Sequence, residues 1–345
     1  MSIHLENIDP YQKLLVDESD RPTDPLIAYP IGRRCKVETA VKIRALVSSL
    51  SRTSILLVYL SLLGDYDTMS PVGDLFRCMK TKDINYPLVP RLITIGISHY
   101  CEKARWALEH LKISYVEERH LPGFHRLATQ KVGGSSVPVL VTETSTLTDS
   151  SDILRYLDSI SSADTKLYPT APELRCEVDK LEQLFNTELG PSTRCWAYFH
   201  LLSDWKLMQK LWCNGAPWFE RIWFPVVFPR ARRLVHKTYN VTPTTAAESY
   251  NRIQQIFEMV GDRLADGRKY LVGDCFSAAD LSFASFAAPN IFPAEYGVKL
   301  PQLHEIPRQM ASQIQSLRDT PAGKYVLRLY REQRRIQQFQ NPNAR

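Results

Sequence analysis

A chain of 345 residues, 44 % hydrophobic and 23 % charged, is long enough for two domains of ordinary size and apolar enough to bury a core. A formal net charge of +6 is modest for that length and demands no nucleic-acid partner. Seven scattered cysteines, no pair of them at zinc spacing, give neither a metal site nor a disulfide framework and point to a reducing, cytoplasmic setting.

Residues 1–90 read as an N-terminal extension. The first thirty residues are polar and carry Pro10, Pro22, Pro25 and Pro30, the pattern of a loop or disordered segment. From Arg33 to Arg52 there are six basic residues against one acid, Glu38. The apolar run from Ile55 to Leu63 follows, and it is too short to span a bilayer, which takes about 20 residues. It fits a helix docked on the folded body, or a segment lying on a membrane surface. Met69 or Met79 offers an alternative start.

Residues 91–162 read as a small α/β domain. Leu92 to Ile97 is a first strand, and Ala104, Ala107, Leu108 and Leu111 recur behind it at helical spacing. Ser98 stands where strand turns into helix, as a favoured N-cap type. The first N–H groups of such a helix have no helical partner, and its dipole favours negative charge there. Ser98 and Cys101 occupy the first and fourth places of a C-x-x-C pattern with Ser in the first place, and a capped helix carrying a buried Cys is the plainer account of the pair. Ser114 to Arg119 reads as a second strand, parallel to the first. A short helix is expected around Arg126 to Lys131, then a break at Gly133 and Gly134. Val137-Pro138 opens a third strand, Ser145 to Thr148 returns as a fourth, and a last helix runs from Ser151 to Ile160 after Asp149 and Ser150.

This order, β-α-β-α-β-β-α, resembles the thioredoxin-like domain of soluble glutathione transferases. Three motifs carry the resemblance: Ser98-x-x-Cys101 with Lys103, Ala104, Arg105 and Leu108; Val137-Pro138; and Leu147-Thr-Asp149-Ser150-x-x-Ile153. The resemblance implies glutathione as co-substrate and no metal. If Pro138 is cis, the Val137 N–H and C=O stay unpaired by neighbouring strands and can pair with the tripeptide's cysteine backbone. Asp149 offers a carboxylate to the γ-glutamyl ammonium, and Ser150 with its helix start offers donors to the γ-glutamyl carboxylate. Capping the helix would need only one of the two. His125 is a candidate for the glycine carboxylate, with Lys131 as competitor. Ser98 or Cys101 is the candidate catalytic group.

Residues 163–172 read as a linker with Pro169 and Pro172, residues 173–335 as an all-helical domain and residues 336–345 as a tail. Leu174, Val178, Leu181 and Phe185 form a core-facing stripe. The aromatic-rich stretch from Trp196 to Trp223 reads equally as helix core or as an apolar second-substrate pocket. Ser277 and Asp280, three residues apart, are a structural capping pair, with Phe276 and Leu281 placed as a hydrophobic staple. Arg328, Arg331, Arg334 and Arg335 fall on the outer, solvated face of a last helix that begins at Pro321. The extension and the Trp-rich insertion between Leu201 and Tyr239 depart from the family pattern.

The implied function is a detoxifying transferase that conjugates the glutathione thiolate to an apolar small-molecule electrophile. Its expected assembly is a homodimer, with no transmembrane segment. Two alternatives stay open: a glutathione-dependent thiol reductase using Cys101, and a non-catalytic binding or assembly protein of the same fold.

Overall fold

The structure is a computed structural model and describes residues 89–162 and 165–334. The apolar run Ile55 to Leu63, the two candidate start methionines, Arg335 and the C-terminal tail lie outside the described residues.

Strand β1 (Arg91–Thr94) leads through a tight turn into helix α1 (His99–His110), followed by β2 (Val116–Arg119), α2 (His125–Gln130), β3 (Val139–Val141), β4 (Thr146–Leu147) and α3 (Ser150–Ile160). The sheet order is β2-β1-β3-β4. β1 and β2 are parallel, with Leu92 opposite Glu117, while β3 and β4 are antiparallel to their neighbours. This is the expected thioredoxin-like order, and it brings the strand ends at Ile95, Pro138 and Thr148 to the mouth of one cleft.

Among the described residues everything after β4 is helical: α4 (Pro172–Leu184), α5 (Gly190–Leu201), α6 (Trp205–Trp212), α7 (Trp218–Thr238), α8 (Pro243–Arg263), α9 (Ala278–Ile291), α10 (Arg308–Asp319) and α11 (Pro321–Leu329). A wide helical turn, Phe185–Leu189, joins α4 to α5. Pro191 has no N–H to continue the regular ladder there, and a wide turn is how a helix absorbs that loss. Gly190 is needed on other grounds: a Cβ at this position would come within 2.5 Å of the Tyr100 hydroxyl.

Helix α1 is buried nearly all round, between the sheet and the helical layer, so its charged residues must be paired. Lys103 Nζ, fully buried, donates to Glu182 Oε1 at 2.8 Å, Ser151 Oγ at 3.0 Å and Asn186 Oδ1 at 3.0 Å. Tyr168 completes the group by donating to Glu182 Oε2. Burial pushes the Glu182 carboxyl up, yet the Lys103 ammonium holds it below the usual range. Arg105 bonds Glu102 and Glu117, and Glu102 also takes the guanidinium of Arg334 at 3.0 Å. Arg334 therefore corrects the expectation of a solvated face: it is 1 % exposed and also pairs with Glu109. Arg331, three residues earlier, is exposed as expected.

The Ser277–Asp280 pair is in place before α9. The Asp280 carboxylate is fully buried and accepts from the Ser277 N–H and hydroxyl, both at 2.8 Å, from the Leu271 N–H at 2.7 Å and from the Tyr325 hydroxyl. Burial pushes its pKa above the usual range, and these donors offset that only in part. Phe276 and Leu281 flank the cap and are both buried.

A second clamp joins β2 to α7. His120 lies between Glu118 (2.8 Å) and Glu220 (2.5 Å), and Glu220 also accepts the Leu121 N–H. Burial alone would lower the imidazole pKa, but the two carboxylates outweigh it and push it up to about 9. A raised folded-state value adds stability that is complete below the unfolded pKa of about 6.5 and is lost as pH rises through about 9. We expect stability to fall by about 1–3 kcal/mol between pH 6 and 9.5 through this residue. Denaturant unfolding of wild type and His120→Gln at both pH values checks this, since the variant should lose much less over that interval. Equal losses would place the pH dependence elsewhere.

Candidate active site

The cleft between the sheet ends and helices α4, α5, α7 and α8 has a volume of about 1230 Å³. Its floor is the start of α1. Ser98 has extended backbone (φ −66°, ψ 126°), and its Oγ accepts the Cys101 N–H at 3.4 Å, which caps the helix. The hydroxyl has one proton, which can go to the Cys101 sulfur or into the cleft, and Ser98 lines the cleft.

Cys101 does not line it. Its thiol is fully buried, and burial pushes its pKa up to about 11, a hydrogen bond with Ser98 offsetting this only in part. A nucleophilic cysteine needs exposure and a lowered pKa. Burial and the raised pKa weigh against Cys101 as a catalytic thiol and fit the plainer account, a capped helix over a buried cysteine.

Val137 and Pro138 come from one segment, Asp149 and Ser150 from another, and all four line the same cleft. The Val137–Pro138 peptide is cis. Val137 precedes the ladder, whose β1–β3 pairing begins at Val139. Asp149 caps α3 through Oδ1, which accepts the Ser151 N–H at 2.7 Å and the Asp152 N–H at 3.3 Å. Its other oxygen takes neither of these bonds, and the residue is exposed to the cleft. Ser150 is the first residue of α3 and is buried. One residue thus does the capping, and the second adds a hydroxyl at a helix N-terminus.

His125 also lines the cleft, but it is 2 % exposed, and its Nδ1 accepts the Gly123 N–H at 3.1 Å. Burial pushes its pKa down to about 3, so the ring faces the cleft neutral rather than as a cation. Lys131 is exposed and lies outside the cleft lining.

Several cleft residues carry no sequence signal of their own. His99 follows Ser98, and its Nε2–H donates to the Gly190 carbonyl at 3.0 Å. Burial and the nearby Arg194 hold it neutral, with a pKa down to about 3. Arg194 on α5 lies over the Tyr239 ring at 4.1 Å and near Tyr100 at 5.4 Å. Arg155 on α3 lines the cleft about half-exposed, 3.5 Å from Asp179. Only the fold, through α4 and α5, brings these groups to the cleft.

The aromatic-rich stretch divides between its two readings. Trp196 and Phe224 are buried core, and Trp212 is buried while also forming cleft wall with Tyr198, Met208 and Tyr239. Part of the cleft wall is thus apolar and aromatic, while the region at Ser98 and Asp149 and the wall at Thr245, Glu248, Ser249 and Arg252 are polar. The arrangement suits a ligand with both polar and apolar groups.

The family model described as "Glutathione S-transferase, N-terminal domain" matches residues 92–165. No curated protein matches the sequence significantly. Solved structures do match. One is a glutathione S-transferase from Xanthobacter autotrophicus, at 16 % identity, covering 69 % of this chain and 91 % of that one, with a TM-score of 0.44. Another is the beta-etherase LigF from a Sphingobium strain, at 17 % identity, 70 % and 99 % coverage and TM-score 0.44. A third is Ure2p5 from Phanerochaete chrysosporium, crystallised with 1-(S-glutathionyl)-2,4-dinitrobenzene, at 16 % identity, 72 % and 97 % coverage and TM-score 0.44.

Proposed function

From the match of residues 92–165 to the glutathione S-transferase N-terminal domain, we propose that the chain is a member of that superfamily, binds glutathione and conjugates it to an apolar electrophile. The observation that carries this reading is the convergence of Ser98, Val137, Asp149 and Ser150 on one cleft from which Cys101 is absent. In this reading the Ser98 hydroxyl donates to the glutathione thiolate at the positive end of α1. Val137 offers its main chain to the tripeptide, Asp149 meets the γ-glutamyl ammonium, and Ser150 meets the γ-glutamyl carboxylate. The thiol proton leaves to solvent. The sulfur then forms a bond to an electrophilic carbon, and the leaving group departs with its electron pair. The apolar wall at Tyr198, Met208, Trp212 and Tyr239 would hold that second substrate. His125 would serve the glycine carboxylate as a neutral hydrogen-bonding ring.

The burial of Cys101 weighs against the mixed-disulfide alternative. The reading carries with it a reducing, cytoplasmic setting, a homodimeric assembly and a role in detoxification. Retention on immobilised glutathione, followed by conjugation assays over a panel of aryl and alkyl electrophiles, tests it. We expect retention and conjugation of at least one apolar member. Failure to be retained would sink glutathione binding, while retention with no turnover across the panel would favour the non-catalytic alternative.

A further inference from the structure

Helix α7 presents an outward face that belongs neither to the core nor to the cleft, and we propose that this face docks on anionic lipid membrane surfaces. The helix has 21 residues, so it is about 31 Å long. Its inner face is fixed: Phe224, Val227, Phe228, Ala231 and Val235 are buried, and Glu220 is held by His120 and the Leu121 N–H. At about 100° per residue, Trp218, Ile222, Pro225, Pro229, Arg233 and His236 fall within an arc of about 80° on the opposite side. All six are exposed. Trp218 is 53 % exposed and Ile222, one turn on, 51 %, and Trp218 is the one aromatic among the large apolar residues exposed in the described chain.

The two halves of the face differ in chemistry. Its N-terminal half is apolar, with Trp218, Ile222, Pro225 and Pro229. Its C-terminal half carries Arg233 and His236, with Arg232 beside the arc and Arg230 and Lys237 on the helix flank, all exposed. Residues 218–238 hold five Arg or Lys and one acid, the buried Glu220, so the outward face bears only positive charge. An exposed Trp beside Ile, in line with a cluster of Arg and Lys, is the composition of a helix lying in a lipid headgroup layer. The indole and Ile222 side chains would enter the acyl boundary while the guanidinium groups meet phosphate and carboxylate headgroups.

Charge complementarity excludes a second copy as the natural occupant, since this face offers no carboxylate to answer its own cations. A nucleic acid would answer the cations but leave Trp218 and Ile222 unused at the far end of the helix. Among the described residues no helix is long and apolar enough to cross a membrane, so the contact is peripheral.

The test is co-sedimentation of the full chain with vesicles of pure phosphatidylcholine or of phosphatidylcholine with 30 % phosphatidylserine. Residues 33–63 are themselves basic and apolar in sequence, so the decisive comparison is with Trp218→Ser/Ile222→Ser and with Arg232→Glu/Arg233→Glu in the same chain. These four residues lie outside the cleft lining, and thermal melts of both variants should match wild type. We expect partition to the anionic vesicles only, a loss of at least about tenfold in either variant, and weakening with salt. As a measurement on unaltered protein, brominated phosphatidylcholine mixed into the anionic vesicles should quench tryptophan emission, and Trp218→Phe should abolish most of that quenching.

Equal partition of wild type and both variants would overturn the proposal, as would no binding to anionic vesicles. A concentration-dependent dimer lost on Trp218→Ser/Ile222→Ser would assign the face to a second copy. Binding to DNA that is stronger than to vesicles and indifferent to Trp218→Ser/Ile222→Ser would assign it to a polyanion. Either result would also overturn it.

Discussion

Replacing Ser98 by Ala should raise the pKa of bound glutathione and cut conjugation by about 10- to 150-fold, while Cys101→Ala leaves it nearly unchanged. A cysteine thiol has an unperturbed pKa of about 8.5, and lowering it by about two units takes roughly 2.7 kcal/mol of preferential thiolate stabilisation. One hydrogen bond to a charged group supplies about 1.5–3 kcal/mol, and a helix N-terminus about 0.3–1. Ser98 at the start of α1 combines both, so no basic side chain is required beside the sulfur, and losing the hydroxyl forfeits the larger share. Cys101 differs because its thiol is buried with a pKa near 11 and lies outside the cleft lining. The pH–rate profile and the thiolate absorbance of the glutathione complex check both variants. If Cys101→Ala abolishes turnover and Ser98→Ala does not, the assignment is wrong and the thiol-reductase alternative replaces it.

The second large effect concerns stability. Asp280→Ala should destabilise the fold by about 3 kcal/mol or more, because it strands the donors of Ser277, Leu271 and Tyr325 in a buried site. For a body of this size that corresponds to a melting temperature lower by roughly 5–10 °C. The glutathione affinity of the folded fraction should be unchanged, since Asp280 lies outside the cleft lining. Calorimetry of the variant beside glutathione titration separates the two outcomes, and an unaltered melting temperature would count against the structural role.

Local chemistry was legible in the sequence. Ser98, Asp149 and Ser277 each precede an apolar helical stripe, and each does cap the helix that follows. The thioredoxin-like order was legible too, since strands of alternating or wholly apolar pattern alternate with helical periods. What could not be read was pairing across the fold. Lys103 and Arg334 look like solvated charges in any local window, yet each is buried against a carboxylate far along the chain. Their environment follows from the sandwiching of α1, which no periodicity on α1 records. Arg155 and Arg194 reach the cleft for a similar reason: α3 packs on α1, α5 packs on α8 and α9, and the wide turn before Pro191 sets where α5 starts. The dipeptide Gly190-Pro191 was the one available signal of that irregularity.

The pairing of Glu102 with Arg334 has a consequence for the order in which the chain acquires its fold. The two residues are 232 positions apart, and Glu102 sits on the helix that carries the candidate active-site serine. During synthesis the sheet and α1 emerge long before Arg334 does. Until that arginine arrives, Glu102 has only Arg105 to offset its charge, and Glu109 lacks the same partner. The early-made part therefore reaches its final packing late, as the turn Tyr330–Arg334 closes over it. Contacts of such separation slow the search for the native state. They also leave the half-made chain with exposed apolar surface, the condition in which a nascent protein depends on chaperones.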